Sequence, residues 1–407
     1  MNLNIKHIPA FQKALSVIKR IESHGFQAFF VGGSVRDALI GREIGDVDLA
    51  SSATPVEIMN IFDKVIPVGM EHGTVIVRYD GESYEITTFR SESEYQDYRH
   101  PDKVEFVTDI KKDLARRDFT INAIALDKNG DLIDPFHGQQ AIQGKKIQAV
   151  GNPYERFEED PLRIMRAVRF VSQLGYSIEE ETRAAVQKQG PLLEKIAVER
   201  IAIEFEKMFQ GNQLVQAIEI CEDASLFQYF PIFRHYPDLS NDAKRIPYPF
   251  ADFAEIISFF VHCSPELSVD DWTRQWKLSK QVKNDARAIH NAIQYYQDNG
   301  LDDWLVYQLP EKLTKPFSRV TGVLYSRDSA KLCEDVKMKR EKLAAHNRSE
   351  LAFQAKDLFD IFPNKPRGPW IGKLLGTIEE KVVSRELKND YNEIKEWVIK
   401  WNPPGRD

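Results

Sequence analysis

With 407 residues, 42% of them hydrophobic and 29% charged, the chain is long enough for two to four domains and has the composition of an ordinary globular protein, which excludes a disordered polymer. No run of about 18 apolar residues occurs, and the start MNLNIKHIPAFQKAL lacks the apolar core and cleavage site of a signal peptide, so a cytoplasmic location and no membrane partner are expected. A net charge of −7 argues against a uniformly basic nucleic-acid-binding surface, and the scattered Cys221, Cys263 and Cys333 argue against a disulfide framework.

Residues 11–23 carry apolar side chains at helical spacing (Phe11, Leu15, Ile18, Ile21), which predicts an amphipathic helix ahead of the first strand. That strand ends at Val31 and breaks into Gly32, Gly33 and Ser34 before a short helix bearing Arg36 and Asp37. Glycines at a strand-to-helix turn let backbone N–H groups approach an anion closely, so the turn reads as a phosphate cradle. A second strand follows with Asp46, Val47 and Asp48 in alternation, and period two sets both carboxylates on one face. Two hard oxygen ligands beside a phosphate cradle fit Mg2+, which is commonly held by a few carboxylates together with the substrate's phosphates. The chemistry this suggests is metal-assisted transfer of a nucleotidyl group.

Thr54, Pro55 and Glu57 read as a capped helix start, and GTVIVRYDG with SYEITTF as a hairpin turning at Asp80 and Gly81. Glu85 lies on the second hairpin strand, either as a third carboxylate of the metal site or as a solvent-facing residue. Residues 90–102, RSESEYQDYRHPD, show no apolar periodicity and read as a polar loop of the kind that acts as a lid or lever. Arg116 and Arg117 form either an ion-pair cluster or a guanidinium clamp for a triphosphate. DKNGDLIDP is a further hairpin, and GKKIQAVG closes the mixed α/β portion near Gly151.

Beyond Gly151 the strand signals stop. FEEDPLRIMRAVRFVSQLG reads as the opening of a long helix with Asp160, Arg163, Arg166 and Arg169 at three-residue steps. An acceptor and a fork of donors one turn apart match the amine-and-acceptor edge of cytosine or adenine; the other reading is an i,i+3 surface salt bridge. The rest is helical, including VERIAIEFEKMF and a basic stretch over residues 312–348 that reads either as an RNA track or as a solvated helix face.

Four blocks in one order, VGGSVRDALIGREIGDVDLA, TTFRSESEYQDYRHPDKVEF, DLARRDFTINAIA and EDPLRIMRAVRF, resemble the class II tRNA CCA-adding enzymes of bacteria, with VERIAIEFEKMF a weaker fifth match. The resemblance is dense over residues 28–210 and thinner afterwards, where PRGPWIGKLL is similar to the tail of the family's Gram-positive branch. It implies an α+β chain: a mixed α/β nucleotidyltransferase head (1–150), then an all-helical neck reading the base (151–210), a body (211–330) and a tail (331–407) binding RNA. It further implies metal binding by Asp46 and Asp48, and nucleotide contacts at Gly33, Arg36, Arg117, Asp160, Arg163, Arg166 and Arg169. The Asp160/Arg163 pair would be an amino-acid template for CTP and then ATP at a tRNA 3′ end, with Mg2+ as cofactor and no obligate protein partner evident. The alternatives are a bacterial poly(A) polymerase, a CC-adding relative and a noncatalytic RNA-binding protein on a decayed transferase. The 90–102 segment, typically missing from CC-adding enzymes, and the intact Asp46 and Asp48 weigh against the last two.

Overall fold

The structure, a computed structural model, describes residues 3, 5–95 and 101–401, and the chain packs as two units, Met1–Lys244 and Arg245–Asp407. The first unit begins with α1 (Pro9–Ser23), β1 (Ala28–Val31), α2 (Gly33–Leu39), β2 (Asp48–Ser51) and α3 (Pro55–Ile61). Next come β3 (Val65–Gly69), β4 (Thr74–Tyr79), β5 (Glu82–Thr88), β6 (Arg90–Tyr95), β7 (Pro101–Phe106) and α4 (Ile110–Ala115). After β8 (Ala125–Leu126), β9 (Leu132–Ile133), α5 (Gly138–Gln143) and β10 (Lys146–Ile147), the chain turns helical with α6 (Pro153–Glu159) and α7 (Leu162–Leu174). A short β11 (Ser177–Ile178) precedes α8 (Glu180–Gln189), α9 (Val198–Phe209), α10 (Leu214–Asp223) and α11 (Leu239–Ala243). The α+β reading holds.

Seven strands form one mixed sheet in the order β3-β4-β5-β2-β1-β8-β9. Alternation along its strands divides the core between two faces. Phe30, Leu49 and Ile86 pack with Phe11 and Ile18 of α1 and Ile58 of α3, while Val31 and Ala50 pack with Ile110 and Leu114 of α4 and with Phe89. The Phe11 and Phe30 rings lie 4.5 Å apart. Thr54 and Glu57 close a capping box that starts α3, as their spacing predicts. Asp80 and Gly81 both take positive φ (49° and 81°), so the β4–β5 hairpin turns as expected.

Two expectations change here. The described part of the 90–102 segment is no open loop: β6 and β7 pair from Arg90↔Phe106 to Tyr95↔Pro101 as a separate two-stranded ribbon, and residues 96–100 lie outside the described residues. A ribbon outside the main sheet needs no continuous apolar face, so its period is invisible to a search for apolar alternation. Strand structure also continues past Gly151, because β11 pairs in parallel with β10.

The second unit is helical. Helices Phe253–Cys263 and Lys280–Asn299 lie at one core, where the Phe260 and Trp272 rings stack at 5.2 Å; Leu374, Ile378, Ile394 and Val398 make another. Its basic stretch is partly neutralised. Lys312 pairs with Asp285, Arg319 with Glu255, Lys339 with Asp303 and Arg348 with Glu379, so these cations serve the fold first. Among the described residues no helix is long and apolar enough to cross a membrane, and all three cysteines are free thiols.

Candidate active site

A cleft of about 590 Å3 in the first unit gathers most of the candidate residues. Its floor is the β1–α2 turn. Gly32 adopts φ +70°, and a Cβ there would lie 3.3 Å from Arg117 Nη1 and 3.5 Å from Asp48 Oδ2, so glycine satisfies the left-handed backbone and lets both side chains approach. Gly33 opens α2 against the Arg36 guanidinium. Arg36 is fixed in turn: Nη1 donates to Asn122 Oδ1 at 2.7 Å, while Nε and Nη2 donate to Asp37 at 2.9–3.0 Å.

The carboxylates are arranged differently from the strand-face expectation. β2 begins at Asp48, and Asp46 lies in the bend just ahead of it, lining a neighbouring hollow of about 640 Å3. Ladder pairing starts only where β1 offers Val31 opposite Asp48, so period-two geometry does not extend back to Asp46. Glu85 is exposed and does not line the cleft, yet β5 runs parallel to β2 with Glu85 in register beside Asp48, which puts the two side chains on one face, so both readings of Glu85 stay open. Water reaches Asp48 from the open side, yet the surrounding protein displaces bulk solvent. Burial pushes its carboxyl up to about 6, with Glu85 and Asp46 adding repulsion against the lowering effect of Arg117. Among the described residues no three carboxylates, imidazoles or thiolates converge as a ready-made metal cage. Asp48, raised first by burial and then by its acidic neighbours, lies in an arginine-lined cleft and fits a divalent cation that takes its remaining oxygens from a phosphorylated substrate.

Asp113 organises the arginine pair. Its carboxylate, 1% exposed, accepts from Arg116 Nε at 3.0 Å and Arg117 Nη2 at 3.1 Å. Burial alone would raise this acid, but the two guanidiniums outweigh it and hold the carboxyl below its usual range. The ion-pair cluster and the clamp are therefore compatible readings, because Asp113 holds Arg117 toward Gly32 and Asp48.

The expected long helix is interrupted. Pro161 cannot donate a backbone N–H and forces the residue before it out of helical geometry, so Asp160 is extended (φ −141°, ψ 96°) between α6 and α7. Asp160 and Arg163 do not pair with each other. The Asp160 carboxylate accepts from Leu162 N–H at 3.2 Å and from Arg200 Nη2 at 3.0 and 3.3 Å. Arg163 donates to Glu159 at 2.8 Å, to the Arg156 carbonyl at 3.2 Å and to the Arg116 carbonyl at 3.0 Å. Both residues line the cleft. A carboxylate offers about four acceptor positions and a guanidinium five donors, so each keeps capacity for a ligand.

Farther along α7, Arg166 pairs with Asp118 at 2.6 Å and Arg169 with Glu204 of α9 at 3.0 Å. Burial and the nearby Arg166 pull the Arg169 guanidinium down to about 10, still cationic at neutral pH. Asp118 is held well below the carboxylate range because Arg166, Asn122 and Arg163 together overcome the penalty of burial. Sequence reasoning missed Asp113, Asp118, Arg200 and Glu204. A signal existed for Glu204 alone: it is an acid set among the apolar positions Ile201, Phe205 and Met208 of VERIAIEFEKMF, and it is 4% exposed.

Comparison with known proteins identifies the family. Residues 28–148 match the poly A polymerase head domain, 175–236 the RNA- and SrmB-binding site of polymerase A, and 249–398 tRNA nucleotidyltransferase domain 2. The CCA-adding enzyme of Oceanobacillus iheyensis is 45% identical over 391 residues, 96% of this chain and 97% of that one. The CCA-adding enzyme of Bacillus cytotoxicus is 41% identical over 397 residues, 96% and 99% of the two chains. The crystal structure of the Bacillus stearothermophilus CCA-adding enzyme in complex with CTP is 36% identical and superimposes with a TM-score of 0.87 over 96% of this chain and 97% of that one. Identity at this level across nearly the whole length means that the chain belongs to the family of bacterial CCA-adding enzymes.

Proposed function

We propose that the protein adds C, C and A to the 3′ end of tRNA without a nucleic-acid template, using CTP and ATP and releasing pyrophosphate. The observation that carries this reading is the single cleft in which Asp48, several guanidiniums and the Asp160/Arg163 pair line one space. The CTP bound by the Bacillus stearothermophilus relative supports it.

In this reading Arg36 and Arg117 orient the triphosphate, with Arg166 and Arg169 adding to the positive wall. Asp160 accepts from the exocyclic amine of cytosine or adenine, and Arg163 donates to the adjacent ring acceptor. Uracil and guanine present a carbonyl in place of that amine, which sets acceptor against acceptor. The 3′-hydroxyl oxygen of the RNA bonds to the α-phosphorus in line as the bond to the β-phosphate oxygen breaks, and no covalent enzyme intermediate is required. Nucleotidyltransferases of this superfamily generally use a divalent metal. Mg2+ is the ion we assign, with Asp46 and Asp48 as its ligands and Glu85 as a third active-site carboxylate. When bound it acidifies the attacking hydroxyl and neutralises charge on the leaving group. The helical neck (151–210) would carry base recognition, and the body (211–330) and tail (331–407) the RNA.

The test is incubation of the protein with a tRNA lacking its 3′ CCA, using CTP alone, ATP alone and both. Two additions with CTP and a third only when ATP is also present are expected. Runs of A point to a poly(A) polymerase, a stop after two C residues with both nucleotides to a CC-adding enzyme, and no product to a noncatalytic protein.

A further inference from the structure

The positive wall of the cleft is gathered around an aromatic ring. Phe170 on α7 is 3% exposed, and its ring meets that of the fully buried Phe119 edge to face at 5.8 Å. The guanidinium carbons of Arg169, Arg36 and Arg166 lie 4.3, 5.2 and 5.7 Å from its centroid. Three like charges within this radius repel one another, and carboxylates offset them: Glu204 pairs with Arg169 and more distantly with Arg166, Asp37 with Arg36 and Asp118 with Arg166.

Those carboxylates alone do not account for the clustering. They come from three different places in the chain, and each guanidinium N–H directed at Asp37 or Asp118 is one fewer for a phosphate. A ring attracts a cation through its quadrupole without accepting a strong hydrogen bond, so donors remain available on the guanidinium. Arg169 Nε, buried and without a hydrogen-bond partner among the described residues, is what this arrangement leaves behind. An aliphatic residue would fill the same space without drawing the cations together.

We propose that Phe170 is a positioning residue for the transfer reaction: its ring draws the guanidiniums of Arg36, Arg166 and Arg169 into one wall that binds the phosphates of the incoming nucleotide. The proposal rests on the cleft being the nucleotide site. It separates two jobs on one helix, because the start of α7 faces the base while Phe170, two turns on, organises the anion site. Loss of the ring's quadrupole should weaken binding of any polyphosphate, whatever its base, and leave the choice between bases untouched.

The probe is inorganic tripolyphosphate, which has charge and no base. Its inhibition constant against CTP is measured on the full chain for wild type, for Phe170→Leu, and for a protein carrying pentafluorophenylalanine at position 170, which keeps the ring's shape while reversing its quadrupole. Both altered proteins are expected to raise the tripolyphosphate Ki and the KM for CTP together by about tenfold, the scale of a few partly desolvated cation–π contacts. The CTP/UTP preference and kcat should stay within about twofold to threefold of wild type in the fluorinated protein, whose fold the conserved shape protects. If the fluorinated protein binds tripolyphosphate as wild type does, or loses base selectivity as much as affinity, the proposal is overturned. Failure of tripolyphosphate to compete with CTP in wild type would instead overturn the assignment of the cleft, a separate outcome read before any variant is made.

Discussion

Arg200 Nη2 donates to both carboxylate oxygens of Asp160, at 3.0 and 3.3 Å, across 40 residues of chain. The acid ahead of α7 is therefore held by a different helix, α9, and not by the arginine one turn away. With Leu162 N–H as its other donor, the carboxylate is fixed in direction before any nucleotide arrives. Arg163 is locked independently through Glu159 and two carbonyls. The two groups proposed to face the base are thus held by separate networks, which would suit a pair presenting one edge to two bases of different size.

Arg200→Gln should therefore act on selectivity as well as rate. Without its charged partner Asp160 loses its fixed direction, and kcat/KM for CTP should fall about tenfold, the scale of one hydrogen bond to a charged group. Discrimination against UTP should fall with it. Steady-state kinetics with both nucleotides on a tRNA primer measure this; a fall in rate with selectivity intact would mean that Arg200 serves only the fold.

Asp48→Ala and Asp46→Ala should each abolish transfer while tRNA affinity, measured by filter binding, stays within about threefold of wild type. Among the described residues no cation lies within ion-pair distance of Asp48, and its carboxyl is raised to about 6, as suits a group that takes a positive partner. Near-normal turnover of either variant in saturating Mg2+ would remove it from the metal site.

The β6–β7 ribbon is rooted beside the arginine pair: Arg90 N–H donates to Asp113 Oδ1 at 3.3 Å, and the Arg90 guanidinium donates to the His72 carbonyl. Shortening residues 91–100 should spare both C additions and suppress the final A, since the ribbon and Arg117 share Asp113 and presenting the larger base requires the site to readjust. Product lengths on a denaturing gel decide it; an equal loss at every step would make the ribbon a common support.

Acid should destabilise the first unit through Asp113 and Asp118. Both carboxyls titrate below their unfolded value of about 3.9, so the folded state binds fewer protons than the unfolded one between the two values. Their contribution is complete above about pH 5 and is lost as pH falls below about 4 toward the folded values. Asp118→Asn should cost about 2–3 kcal/mol at neutral pH, less than for a fully buried pair because the Arg166 side chain is 32% exposed. It should also flatten the fall of Tm between pH 5 and 3, as read by thermal melts across that range.

Much of the fold was legible because local rules and tertiary packing agree. The Thr54–Glu57 capping box, the Asp80-Gly81 turn and the apolar spacing of α1 each specify their element without help from distant residues. Glu85 could be placed on a hairpin strand, but its register with Asp48 comes from the parallel β2–β5 pairing, which no local pattern carries. The break at Asp160 was written in Pro161 and overlooked in favour of a charge periodicity that runs through it. What no local pattern carries is the pairing of charges over long separations. Asp160 with Arg200, Arg166 with Asp118 and Arg169 with Glu204 depend on how α7 packs on α9 and on the head, and the adjacent residues suggest nearer, incorrect partners.

The central claim is that the protein itself reads the incoming base through Asp160. The most direct measurement is the ratio of kcat/KM for CTP to that for UTP on a tRNA primer lacking CCA, compared between wild type and Asp160→Ala. An ionised Asp160 can only accept, so its removal takes one hydrogen bond from cytosine and a repulsion from uracil. CTP use should fall while the CTP/UTP ratio collapses by about 1–3 kcal/mol, or roughly 5- to 150-fold. An unchanged ratio, even with much slower turnover, would make Asp160 a structural partner of Arg200 and locate selectivity elsewhere.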